Sequence, residues 1–264
     1  VRKVIEVDDK NRAIYFTASG LDKDQDPYLI HYCSIDFDGK NFTRFTTENG
    51  NHKVTFSPDK EYYVDQYSRV DMPAVTVLKK AGKKKPILTL EEGDITELEK
   101  TGWKTPEVFT AKGRDGDTDI WGIIVRPTNF DPSKSYPIIE YIYAGPHDSF
   151  VPKDFNSYYW ALSSLAELGF IVVQIDGMGT SNRSKAFHDV CWQNLKDAGF
   201  PDRKLWITAA AEKYPYMNAD KVGIRGTSAG GQSAGAALVF NSDFYDVAVA
   251  SCGCHDNRMD KIWW

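Results

Sequence analysis

The stretch Lys221-Val222-Gly223-Ile224-Arg225-Gly226-Thr227-Ser228-Ala229-Gly230-Gly231 restricts the possible folds more than any other part of the chain. It reads Gly-x-Ser-x-Gly. A strand-like run precedes the motif, and Gln232 to Phe240 follow with the composition of a helix. A serine at a strand-turn-helix junction sits on a turn so sharp that side chains on either side would clash, which explains Gly226 and Gly230. Such a turn exposes the Ser228 hydroxyl and aims the first helix amides, beginning with that of Ala229, at the same point. A nucleophile that attacks a carbonyl needs both features. A glycine-rich turn with an incidental serine is the plainer alternative, and the flanking strand and helix argue against it.

The chain has 264 residues, enough for more than one average domain, and a net charge of −5, which gives nucleic acid no electrostatic foothold. No apolar run approaches the length of a membrane span. Four cysteines (Cys33, Cys191, Cys252 and Cys254) make no disulfide framework. Cys252-Gly253-Cys254-His255 lacks a second ligand pair at a usual spacing, so no metal is expected, and no cofactor motif is present. Asp176-Gly177-Met178-Gly179 begins like a dinucleotide fingerprint, but the third glycine position holds Asn182.

Residues 1–102 read as β-structure, with short strands such as Val4 to Val7 and Arg12 to Thr17 divided by turns. A weak echo at an offset of about 50 sets Val4 against Val54, Asp9-Lys10 against Asp59-Lys60 and Ile14 against Val64, near the period of propeller blades. About two blades fit in this length, too few to close a propeller. The basic run Lys79 to Lys85 lacks interleaved aromatics and reads as a solvated hairpin turn between Val75 to Leu78 and Ile87 to Leu90. From residue 103 the grammar changes. Buried strands at Pro137 to Tyr143, Phe170 to Asp176, the run before Ser228, and Val247 to Ala250 alternate with helices at Ser157 to Leu168 and Asp202 to Tyr214. That alternation predicts a parallel-rich sheet with helices on both faces.

Four segments together resemble the prolyl oligopeptidase family of serine peptidases: Ser57 to Tyr63, Ile142-Tyr143-Ala144-Gly145-Pro146, Asp176 to Gly179, and Gly226 to Gly231. Their order and spacing match as well, so the resemblance covers nearly the whole chain. It implies the end of a β-propeller over 1–102 and an α/β-hydrolase domain over 103–264, truncated after its nucleophile half. It also implies Ser228 as nucleophile, with the Tyr143 phenol and the Ala229 amide as the oxyanion hole. Tyr143 ends the strand beside the Ser228 strand, where a long donor reaches an oxyanion; a core aromatic is the alternative. A peptide substrate, a homodimer in the longer parent and a periplasmic or secreted location are further implications of the family.

Two departures matter. The dipeptide-releasing branch that this chain most resembles carries a tyrosine after the nucleophile, and here Ala229 removes one wall of the proline pocket. The chain also ends before the loops where this fold places its triad Asp and His. Of its five histidines (His31, His52, His147, His188 and His255) none is expected to serve as base, and the isolated chain is expected to be inactive. His255, Met259 and Trp263 recur at i, i+4 and i+8, which predicts one helix face; the resemblance makes that face a substrate-pocket wall, and core packing is the alternative. The expected activity is release of dipeptides from peptide amino termini through an acyl-enzyme at Ser228. An acyl-peptide hydrolase or esterase on the same fold is the second reading. A non-catalytic binding protein is the third, and a serine on a strained tip argues against it.

Overall fold

A computed structural model describes residues 1–83 and 85–259. The chain divides into two compact units: Val1–Glu97 with Pro152–Asn156, and Leu98–Val151 with Ser157–Trp264.

The first unit contains two four-stranded antiparallel meanders. One joins β1 (Lys3–Asp8), β2 (Ala13–Ala18), β3 (His31–Asp36) and β4 (Thr43–Arg44); the other joins β5 (Asn51–Phe56), β6 (Tyr62–Arg69), β7 (Met72–Lys80) and β8 (Leu88–Glu92). Each is blade-like, and the sequence echo falls on equivalent strands: Val4 and Val54 in β1 and β5, Ile14 and Val64 in β2 and β6. Aromatic rings join the two sheets, with Phe45 edge-on to Phe56 at 5.0 Å and to Tyr63 at 5.8 Å, and Tyr15 edge-on to Phe56 at 5.7 Å. The segment Pro152–Asn156 belongs to this unit through polar contacts: Lys153 pairs with Asp26 at 2.7 Å, Asn51 Nδ2 donates to Asp154 at 2.9 Å, and the Phe155 amide donates to Ser68 Oγ at 3.1 Å.

The second unit opens with a helical turn, α1 (Thr96–Glu99), that straddles the division. It then runs β9 (Glu107–Lys112), β10 (Asp119–Val125), β11 (Tyr136–Ile142), α2 (Trp160–Glu167), β12 (Ile171–Asp176), α3 (Lys185–Asp189), α4 (Phe200–Lys213), β13 (Met217–Thr227), α5 (Ala229–Phe240) and β14 (Val247–Ser251). The six strands form one sheet in the order β14-β13-β11-β12-β10-β9. The first four are parallel and the β9-β10 hairpin is antiparallel, so the sheet is mixed. Every residue of β12 is buried, which requires cover on both sheet faces at that point. The core gathers Ile138 and Ile142 from β11, Ile171, Val173 and Ile175 from β12, Val222 and Ile224 from β13, and Trp206 and Ile207 from α4.

A buried ion pair ties α4 to the sheet. Glu140 of β11 accepts from Arg203 Nη1 at 2.7 Å and from Tyr245 Oη at 2.7 Å, and Arg203 also donates to the carbonyls of Ile175 and Ala198. Each buried charge therefore has bonded partners, without which desolvation would exclude it. Burial and the Glu140 carboxylate hold the Tyr245 phenol well above its usual range.

In the first unit the His31 ring lies buried against Arg44, whose guanidinium nitrogen is 3.2 Å from both ring nitrogens, and packs at a tilt against His52, ring centres 5.0 Å apart. Burial first, then the Arg44 charge, lowers its pKa from 6.5 to about 4. Between those values the unfolded chain binds a proton that the native chain does not. His31 therefore contributes its full stability above pH 6.5, and the contribution, roughly 3 kcal/mol, disappears as pH falls to about 4. An NMR titration should place the His31 ring midpoint near 4, and a midpoint near 6.5 would contradict the buried neutral ring.

Candidate functional site

The chain leaves β11 toward β12 on one side and returns as β13 on the other. Parallel sheets bind ligands at such a switch point, outside the carboxyl ends of the strands. Register places Ile142 of β11 opposite Gly226 of β13, and Thr227 opposite Ser251 of β14. The carboxyl ends of these strands thus bring Tyr143, Ser228 and the residues after Ser251 to the same edge.

Ser228 forms the turn between β13 and α5. Its backbone has φ 58° and ψ −121°, a region that a side chain seldom occupies, and its amide donates to the Ser251 carbonyl at 2.9 Å. The glycines around it are required by backbone. A Cβ on Gly226 would lie 2.1 Å from the Gly230 carbonyl oxygen, one on Gly230 would lie 2.2 Å from that of Ile142, and one on Gly231 would lie 2.4 Å from that of Ser251. The end of β11, the turn and the first turn of α5 are thereby pressed together at backbone distance.

The serine is half-buried, its side chain does not cap α5, and Oγ has no hydrogen-bond partner among the described residues. The Ala229 amide stands at the first position of α5, where an N–H has no partner inside the helix. A Cβ on Gly230 would also lie 3.4 Å from Tyr143 Cα, so the turn carrying Ser228 and the root of the Tyr143 side chain are close neighbours. Tyr143 is half-buried. Its ring packs on Phe150 at 4.5 Å and meets the edge of His147 at 5.9 Å. A hydroxyl and a helix amide that no described residue bonds, together with a phenol, can receive a carbonyl and the charge that develops on it.

The segment after β14 departs from the expected helix. Cys252 takes φ 40°, the His255 amide bonds back to the Gly253 carbonyl at 3.0 Å, and Met259 closes a turn onto Asp256 at 3.0 Å. His255 and Met259 therefore share no helix face, and Trp263 lies outside the described residues. Met259 points into solvent at 84% exposure, while the His255 ring packs against Gly235 of α5. Asp256 accepts from the Arg258 amide and guanidinium, a local motif within this turn. Those Arg258 bonds also hold the Asp256 carboxyl below its usual range.

A groove of about 900 Å3 runs beside the site, lined among others by Pro146, His188, Trp192, Gln232, Val239 and His255; Ser228 is not in its lining. His188 Nε2 is 2.9 Å from the Pro146 carbonyl, so it supports the loop after Tyr143. No described histidine hydrogen-bonds Ser228. Among the described residues, Glu48, His52 and Asp65 alone group donor atoms within metal-binding reach. The Lys79 ammonium sits among them, 2.6 Å from Glu48 and 3.3 Å from Asp65, so a cation already occupies the position between the two carboxylates.

Sequence reading missed Asp176 as more than a motif residue. It is wholly buried and bonds the amides of Phe150 and Val151, which lie in the loop after Tyr143. An acid ending an apolar strand was the one available signal.

Residues 156–264 match the model of the prolyl oligopeptidase family, and residues 1–74 match that of the dipeptidyl peptidase IV N-terminal region. Dipeptidyl peptidase 8 of Homo sapiens is 29% identical over 254 residues, which cover 93% of this chain and 28% of the relative. Dipeptidyl peptidase 4 of Trichophyton rubrum is 27% identical over 268 residues, covering 97% of this chain and 33% of the relative. The crystal structure of Porphyromonas gingivalis dipeptidyl peptidase 4 superposes with a TM-score of 0.73 at 25% identity, over 93% of this chain and 34% of that one. The chain thus spans about a third of the length of the relatives it matches.

Two glycine substitutions test the backbone account. Gly230→Ala forces a backbone shift and should cost at least about 3 kcal/mol in urea unfolding. Gly235→Ala meets only the His255 ring, at 3.1 Å, inside a helix, and should cost less than about 1 kcal/mol. Equal small effects would show that the turn is not held at backbone distance.

Proposed function

From a chain whose residues 156–264 match the prolyl oligopeptidase family and whose residues 1–74 match the dipeptidyl peptidase IV N-terminal region, we propose part of a serine peptidase of the dipeptidyl peptidase IV type, which releases dipeptides from peptide amino termini. The first unit is the end of a β-propeller, and the second is the nucleophile half of an α/β-hydrolase domain. The observation that carries this reading is Ser228 in a strained turn, its hydroxyl without a hydrogen-bond partner among the described residues, at the switch point of the sheet. A backbone at φ 58° costs on the order of 1–3 kcal/mol for a residue other than glycine, and chemistry at the tip gives a reason to retain it.

The substrate carbonyl lies between Ser228 Oγ, the Ala229 amide and the Tyr143 phenol. Oγ attacks the carbonyl carbon, and its proton passes to a histidine. The oxyanion is met by the amide and the phenol, and the leaving amine takes the proton as the acyl-enzyme forms. Water then reverses these steps and frees the dipeptide. The base and the acid that orients it come from outside the described residues. Ala229 leaves the pocket around the residue before the cut bond more open than a tyrosine would, which supports acceptance of residues other than proline. That openness is also what favours the second reading, an acyl-peptide hydrolase or esterase.

The test is covalent labelling of the complete protein with a serine-directed phosphonate. Mass spectrometry should place one adduct on the peptide containing Ser228, and Ser228→Ala should carry none. An adduct that persists in Ser228→Ala, or that maps to another serine, would move the nucleophile elsewhere.

A further inference from the structure

We infer that Asp176 is a positioning residue for the oxyanion donor, fixing the Tyr143 ring through the loop that carries Phe150. The inference rests on the proposed role of Tyr143.

Asp176 closes β12 and is wholly buried. Its Oδ1 accepts from the Phe150 amide at 2.8 Å, and its Oδ2 from the same amide at 3.0 Å and the Val151 amide at 2.9 Å. Two residues earlier, on the same face of β12, Gln174 Nε2 donates to the Phe150 carbonyl at 2.9 Å. Phe150 is therefore held at both its amide and its carbonyl by side chains of one rigid central strand. The loop itself forms no strand with β12, so these side chains replace the missing ladder.

What the clamp holds is an aromatic triad. The rings of Phe150 and Tyr143 lie 4.5 Å apart, His147 stands edge-on to Tyr143 at 5.9 Å and to Phe150 at 5.4 Å, and Gly145 leaves space for that packing. The far side of the loop is tied separately, with the Pro146 carbonyl accepting from Ser181 Oγ at 2.6 Å. An oxyanion donor lowers a barrier only if it already points at the charge that will form, so a phenol on a loop needs its ring direction fixed beforehand. Phe150 supplies the surface that does so, and Asp176 determines where Phe150 stands. A buried carboxylate is costly unless hydrogen-bonded, and charge-assisted bonds to backbone amides are among the strongest available. The substitution Asp176→Asn keeps the volume but leaves one acceptor oxygen and turns an NH2 group toward amides that also donate.

A double-mutant cycle in the complete protein tests this. On a dipeptide anilide, Tyr143→Phe should lower kcat by about 10²–10³. Asp176→Asn should lower kcat by about tenfold or more, with KM within about twofold. If Asp176 acts through Tyr143, the double variant should be no more than about twofold slower than Tyr143→Phe alone. Phe150→Leu, which leaves the buried carboxylate and its bonds intact, should repeat the same loss confined to kcat and the same lack of additivity, even if Asp176→Asn does not fold. Losses that multiply in the double variants would overturn the positioning role while leaving Tyr143 as donor. An unchanged kcat in Tyr143→Phe would remove the donor role, and the positioning role with it.

Discussion

The second unit depends on one close approach: Gly230, at the start of α5, lies against the carbonyl of Ile142 at the end of β11. No side chain fits between them. The contact sets the angle at which α5 leaves the sheet, and the turn at Ser228 must then absorb a backbone conformation that only glycine adopts without strain. Gly226 and Gly231 extend the same crowding to the turn itself and to the end of β14. The position of the Ser228 hydroxyl at the tip of the turn is thus a consequence of packing. A helix set further from the sheet would relax the turn and lose the alignment of hydroxyl and helix amide.

The parallel strands on which this turn is mounted are held by buried, hydrogen-bonded charge as well as by apolar packing, with Arg203 Nη2 the one nitrogen of that pair that finds no partner among the described residues. Glu140 sits in the middle of β11 and is answered by Arg203 and Tyr245, so α4 and the residues after α5 are pinned to the strand that leads to Tyr143. Asp202, beside Arg203 on α4, binds the Met178 amide and Arg114. Removing one partner from such a cluster leaves a charge uncompensated in the interior, which makes the arrangement intolerant of partial change. The loops at the carboxyl edge therefore grow from strands whose relative positions are set.

Much of this was legible in the sequence where one residue type has one physical reason to be present. Gly226 and Gly230 announced the turn, the apolar run at 171–175 announced a strand buried on both faces, the run at 137–142 a strand of alternating burial beside it, and the offset of about 50 announced two equivalent meanders. The reading failed where identity underdetermines geometry. His255 and Met259 have helical spacing, yet among the described residues the segment after a positive-φ Cys252 runs as loop and turn up to Met259. Pro152–Asn156 joins the first unit through contacts with residues about a hundred positions earlier, which no local pattern encodes. Asp176 looked like part of a glycine motif, because its partners are backbone amides, and backbone amides leave no trace in composition.

The central claim is a dipeptide-releasing serine peptidase, and the products of peptide cleavage test it most directly. The complete protein would be incubated with an unblocked peptide of about ten residues and the masses followed over time. The account predicts successive loss of two-residue units from the amino terminus, absent in Ser228→Ala and absent when the amino terminus is acetylated. An intact peptide, loss of single residues, cuts in the interior, or dipeptide release that survives in Ser228→Ala would contradict it.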